Sequence, residues 1–302
     1  EGGPSSPLTF PEFPGKLAPL MTLRHLALLP LLLVPLTAPS GGAELPTLED
    51  GARVVLIGNG LGSRMGLYGH FEAEVQQRNA GKRIVIRNMC DEGNTPGFRP
   101  HSGRNSPWAF PGAEQYRQLS SAKDRWGSGH TGSGHYETPD QWLTRLQADV
   151  VVAFFGFNES FDGAAGLDRF KAELIDFVKH TQGQKYNGRT APVLALVSPI
   201  AFEDLSATHG TPDGNVENAN LALYTAAMED VAAQFDVSFV NLLPVTKDWF
   251  DKTREPLTRD GALLTEEGYM KLAPVLADGL FGPAKTRVGN SGGVLAAVRE
   301  KN

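Results

Sequence analysis

Four short stretches carry the residue types that chemistry at one site would need. The first is "GNGL", Gly58 to Leu61, a glycine-rich turn directly after the β-branched run Val54 to Ile57. The second is "NMCDEGNT", Asn88 to Thr95, the third "GFNES", Gly156 to Ser160, and the last "DGALLTEEGY", Asp260 to Tyr269. A glycine turn closing a strand commonly holds a phosphate or a nucleophile, because glycine lets the backbone bend sharply and approach a bound group. The phosphate alternative fails on spacing. A dinucleotide turn that starts at Gly58 needs glycine where Ser63 stands, and Arg87-Asn88 occupies the place of the ribose-binding acid. The nucleophile alternative meets another difficulty: the centre of the turn is Asn59 and Gly60, with no reactive side chain.

Other groups near these stretches are candidate substitutes. Ser63 lies one helical turn past Gly60, where a serine is expected to cap free helix N–H groups. Cys90 is the only cysteine. Its thiolate could attack a carbonyl if a histidine lowered its pKa, but an interior cysteine is more often a small apolar packing residue. His101, His130 and His135, with Asp91 and Glu92, offer donors for a metal or a base. Their spacing in "GSGHTGSGH" is not that of a zinc site, and no metal is expected. Trp108 and Trp126, with Asp91, Asn94, Asn158 and Glu159, are of the types that bind sugars, aromatic faces stacking while carboxylates and amides take hydroxyls; Arg99, Arg104 and Phe98 stand beside them.

Elements that alternate along the chain must position these groups. Short apolar segments predict strands over Arg53–Gly58, Arg83–Asn88, Val150–Phe155, Val193–Ser198 and Val237–Leu242, each buried on both faces as parallel strands are. Helices are predicted between them: over Arg64–Gln77, in "ETPDQWLTRLQ" after Thr138, in "GLDRFKAELIDFVKHT", in "NVENANLALYTAAMEDVAAQF", and in "TEEGYMKLAPVLADGL" with Thr265 as N-cap. The alternation predicts an α/β fold, a three-layer α/β/α sandwich on a five-stranded, mainly parallel sheet. The stretch Cys90 to Glu137 is long for a connection and rich in aromatics, so it is expected either to serve function at the carboxyl edge of the sheet or to pack on its own aromatic side chains.

In this order, with these strands between them, the four stretches resemble the motif blocks of the SGNH hydrolases, the GDSL lipase/acylhydrolase family, over about Ala52 to Ala277. The resemblance implies a flavodoxin-like sandwich and an esterase acting on an ester or acylated carbohydrate. It places the nucleophile position at Gly60, the oxyanion donors at Gly93 and Asn158, the orienting acid at Asp260 and the base position at Leu263. Asn59, Asp91, Glu92, Glu159, Trp108 and His135 are then expected to contact substrate, and no cofactor is expected. A glycine cannot form an acyl-enzyme and a leucine cannot accept a proton. Two functions therefore stand side by side: a hydrolase with the usual serine and histidine replaced, and a non-catalytic domain of a larger exported protein that binds a carbohydrate or other small ligand.

Composition bounds these readings. The 302 residues are 41 % hydrophobic and 21 % charged, with net charge −6, which suits a sizeable core and argues against nucleic acid as partner. Residues 1–20 read as an upstream extension. Residues 21–43 read as a signal peptide, with Arg24 and His25 ahead of the apolar run Leu26 to Leu36. That run is about half the ~20 residues a membrane span needs, so an exported location is expected and no stable membrane anchor. The domain is expected over 44–281, with 282–302 as a tail or linker to further sequence. A lone cysteine excludes an intrachain disulfide.

Overall fold

Val54, Val55, Leu56 and Ile57 are each at most 2 % exposed, and they divide by turns between two cores. Val54 and Leu56 pack with Val150, Val152 and Phe154 on one side of a sheet. Val55 and Ile57 pack with Val151, Ala153 and Phe155 on the other. Successive strand residues face opposite sides, so an apolar residue at every position requires cover on both.

The computed structural model of the protein describes residues 47–101, 104, 106–117, 136–284 and 291–302. The expected signal segment, Trp126, His130 and His135 lie outside the described residues. Strands β1 (Arg53–Gly58), β2 (Val85–Asn88), β3 (Val150–Phe154), β4 (Val193–Val197) and β5 (Ser238–Val240) form one sheet. All pairings are parallel and the order is β2-β1-β3-β4-β5, with Gly58 opposite Phe154.

The helices, in chain order, are α1 (Gly60–Ser63), α2 (Met65–Tyr68), α3 (His70–Arg78), α4 (Pro139–Leu146), α5 (Phe157–Ser160), α6 (Leu167–Gln182), α7 (Ser206–His209), α8 (Asn215–Gln234), α9 (Leu243–Lys252), α10 (Glu266–Phe281) and α11 (Ser291–Lys301). Apolar faces of α3, α9 and α10 cover one side of the sheet, and those of α4, α6 and α8 the other. Thr138 and Gln141 close a reciprocal capping box at the start of α4, and Thr265 caps α10 through the Gly268 N–H. The single helix expected over Arg64–Gln77 is instead broken: Gly69, at φ 73°, ends α2 in the left-handed region and leads into α3.

The tail differs from a plain linker. In α11, Val298 is buried, and its Cγ1 would be 2.9 Å from a Cβ at Gly69. Arg299 Nε donates to the Tyr68 carbonyl and Lys301 Nζ to the Glu72 carboxylate. The described part of the long connection after β2 also packs, through Phe98, Ala109, Phe110 and Ala113. Buried Glu173 on α6 holds it there, accepting from Thr95 Oγ1 at 2.8 Å and Gly97 N at 2.7 Å.

Because β1 and β3 are neighbours, the connections leaving their carboxyl ends part to opposite sides of the sheet. Such a switch point opens a crevice where ligands bind in open α/β sheets.

Candidate functional site

The crevice is set by the turn after β1. Gly58 has φ 117°, and a Cβ there would fall 2.1 Å from the Phe154 carbonyl oxygen, so only glycine fits. The same oxygen accepts the Asn59 N–H at 3.0 Å, which clamps the turn onto β3. Asn59 Oδ1 accepts the Leu61 N–H at 3.3 Å and caps α1. Gly60 has no positive φ, and a Cβ at this position would meet only Glu92 Cγ, at an ordinary 3.5 Å.

A pocket of about 160 Å³ lies over this turn, and all four motif stretches reach it. The first contributes Asn59 and Gly60, the second Glu92 and Gly93, the third Asn158, and the last Ala262 and Leu263. Leu61, Phe154, Phe155, Phe157 and Ile200 make the walls apolar. The Gly93 N–H meets no acceptor among the described residues. Asn158 Nδ2 donates one hydrogen to the Asn94 carbonyl at 2.8 Å, which fixes the amide and leaves its second hydrogen for a ligand. Gly93 and Asn158 thus line the same pocket, each with an N–H not taken up by the described residues.

Position 263 is placed by a braced loop. Glu203, 5 % exposed, accepts from the N–H groups of Leu257 and Thr258 and from Thr258 Oγ1. Its own N–H donates to the Gly261 carbonyl at 2.8 Å. Asp260 is exposed, and its Oδ1 accepts from the backbone of Ala262 at 3.0 Å and Leu263 at 2.8 Å. The acid therefore holds its own turn, and Leu263 lines the pocket as an apolar residue.

Residues 95–271, more than half of the chain, match the family described as GDSL-like Lipase/Acylhydrolase. The chain belongs to that family. No curated protein matches it. Solved structures similar in fold include a catalytic mutant of Axe2, an acetylxylan esterase from Geobacillus stearothermophilus, at 15 % identity and TM-score 0.52 over 80 % of this chain and 99 % of that one. LAE5, an α/β hydrolase enzyme from the metagenome of Lake Arreo, Spain, is 13 % identical with TM-score 0.52 over 78 % and 97 %. BT4096, a gut microbial diltiazem-metabolizing enzyme, is 13 % identical with TM-score 0.53 over 80 % of this chain and 49 % of that one.

Within this GDSL-like chain the other expected groups fall in different places. Burial raises the Cys90 thiol well above its ordinary pKa, and the thiol packs against the turn after β1: a Cβ at Gly62 would fall 2.4 Å from its Sγ. Ser63 does not cap N–H groups as expected: its hydroxyl donates back to the Gly60 carbonyl. Ser198 also lines the pocket, unforeseen in the sequence, but its Oγ donates to the Pro199 carbonyl and accepts the Leu242 N–H. No feature of the segment after β4 marked it beforehand.

Asp91 and Trp108, expected to contact substrate, do not line this pocket. Asp91 is exposed and accepts the Glu92 N–H, because the turn after β2 uses it. Trp108 packs edge-on against Phe98 at 5.6 Å, as part of the folded connection. Arg99 is buried over the rings of Phe155 and Phe177, with its pKa lowered to about 10 by desolvation, and His101 stacks on Tyr136. Glu159 turns away from the first pocket into a larger polar cavity beside it. Desolvation raises its carboxyl to about 8, so it carries a proton at neutral pH.

Proposed function

We propose that this chain binds an acylated small molecule and does not turn it over through an acyl-enzyme. The observation that carries the reading is one pocket lined together by Gly60, Gly93, Asn158 and Leu263, with an N–H donor on Gly93 and on the Asn158 amide and no nucleophile or base in the side chains of Gly60 and Leu263. The apolar walls suit the acyl group, and the two donors suit its oxygen. The acetylxylan esterases among the fold neighbours make acetyl esters a reasonable first ligand class. The leader expected over 21–43 adds an exported location to this reading. Calorimetric or NMR titration with acetyl esters tests it. Saturable binding, weakened in Asn158→Ala, with no product formed, is the expected result; fast product release would overturn it.

A second reading is hydrolysis without a covalent intermediate. Its support is Glu92, whose Cγ stands beside the space a nucleophile would fill. A carboxylate there could take a proton from water attacking the carbonyl. Slow turnover lost in Glu92→Gln would favour this alternative, whereas turnover unchanged in that variant would exclude it.

A further inference from the structure

Glu173 is an acid on the packed face of α6, at helical spacing with buried Phe170, Leu174 and Phe177. Taking a carboxyl out of water is costly unless its oxygens find donors. Both donors to Oε1 come from the segment just after the second motif stretch: Gly97 N at 2.7 Å and Thr95 Oγ1 at 2.8 Å. A Cβ at Gly97 would fall 2.8 Å from that oxygen, so glycine lets the backbone come this close.

These bonds reach the pocket through one peptide unit. Thr95 Oγ1 also accepts the Phe98 N–H at 3.2 Å, and the Thr95 N–H donates to the Phe98 carbonyl at 2.9 Å. Residues 95–98 thus close a turn around a single carboxyl oxygen. The Thr95 N–H and the Asn94 carbonyl share a planar peptide, so fixing the first fixes the second. That carbonyl is the acceptor of Asn158 Nδ2, at 2.8 Å. Neither Glu173 nor Thr95 lines the acyl pocket itself.

We propose that Glu173 is a positioning residue for the acyl pocket: through Thr95 and the Asn94 carbonyl it sets the Asn158 amide that donates to the ligand oxygen. The proposal rests on the acyl-binding reading above. An asparagine side chain turns about two bonds, and an amide already held in one orientation loses less freedom when the ligand arrives. Oε1 needs only to accept. Burial raises the Glu173 carboxyl above its ordinary pKa, and a protonated carboxyl or an amide still offers the same carbonyl oxygen. Glu173→Gln therefore keeps the clamp, and Glu173→Ala removes it.

The test is NMR titration of the whole protein with ethyl acetate, in the parent, Glu173→Ala, Glu173→Gln, Asn158→Ala and the double variant Glu173→Ala with Asn158→Ala, each checked for folding by its thermal transition. Glu173→Ala weakens ethyl acetate about three- to tenfold and shifts the Asn158 side-chain amide resonances, whereas Glu173→Gln stays within about twofold of the parent. In the Asn158→Ala background, Glu173→Ala changes the affinity by less than about twofold, because the group it positions is gone. An equal loss in both backgrounds would mean that Glu173 acts on the fold alone and would overturn the proposal, as would a folded Glu173→Ala protein with the parent affinity. If Glu173→Ala does not fold, Thr95→Val decides: it removes the hydroxyl that links Glu173 to the turn and weakens ethyl acetate in the same way, and an unmoved Asn158 amide with unchanged affinity overturns the proposal. If ethyl acetate does not bind the parent, the acyl reading fails by itself, and the Asn158 amide shift in Glu173→Ala still decides whether Glu173 positions that side chain.

Discussion

A Cβ placed on Gly60 lies 3.5 Å from Glu92 Cγ, whereas one placed on Gly58, two residues earlier, lies 2.1 Å from the Phe154 carbonyl oxygen. The two glycines thus stand for different reasons: one is demanded by the fold, the other is optional. Gly60→Ala should change stability by no more than about 1 kcal/mol in urea denaturation. Gly58→Ala combines a left-handed φ with a backbone clash and should cost about 3 kcal/mol or more, enough to leave little folded protein. A well-folded Gly58→Ala protein would show that the turn is not clamped on β3.

The open space at position 60 permits reconstruction. Gly60→Ser with Leu263→His should fold and raise the rate of aryl acetate hydrolysis by about 10²-fold or more over the parent chain. Asp260 already accepts two backbone N–H groups through Oδ1, and its Oδ2 is the oxygen left to orient an imidazole. Either single change should give far less than the pair, because nucleophile and base act as a unit. A folded double variant with no gain would mean that the pocket does not admit an aryl ester.

Cys90 should resist alkylation in the native state. Desolvation raises its pKa, so thiolate is scarce at neutral pH. Labelling with a chromogenic disulfide reagent should proceed only as denaturant unfolds the chain. Gly62→Ala places a methyl group against Cys90 Sγ and Phe154 Cδ2 and should destabilise by about 1–3 kcal/mol.

Glu159 gives stability a defined pH dependence. Its carboxyl, at about 8 against an ordinary 4.5, keeps its proton in the folded chain while the unfolded chain loses it. The unfolded state therefore binds fewer protons between these values, and the contribution of this group to stability falls as pH rises from about 4.5 to about 8, then levels off. Urea midpoints measured across that range should flatten in Glu159→Gln relative to the parent. An unchanged slope would mean that Glu159 ionises normally.

Removing the Asn158 amide should weaken binding of an acetyl ester by about 0.5–1.5 kcal/mol, the usual net worth of one hydrogen bond. The same change leaves the Asn94 carbonyl without its donor, so a modest fall in Tm accompanies it.

Much of the scaffold was legible because it follows from periodicity. β1 spans Arg53–Gly58 as its apolar run predicts, and β3 and β4 each end one residue earlier than expected. Thr138 and Thr265 start α4 and α10 as cap chemistry predicts. Gly69 interrupts the first helix because a left-handed φ suits glycine there, a choice that helical spacing alone does not reveal. In the site, Gly60, Glu92, Gly93 and Asn158 meet because each follows a strand end on the same edge of the sheet. The packing of Trp108 on Phe98 and the 72 % exposure of Phe161 were less legible, because exposure of an aromatic depends on tertiary packing, which composition does not reveal.

The brace that Glu203 gives to the 257–264 loop has an evolutionary consequence. Its bonds to Leu257, Thr258 and Gly261 involve neither the Leu263 side chain nor any residue that lines the pocket. Architecture and reactivity can then drift on separate schedules. Glycine to serine and leucine to histidine are single-base steps for some of their codons, so positions 60 and 263 lie within short mutational reach of a serine and a histidine.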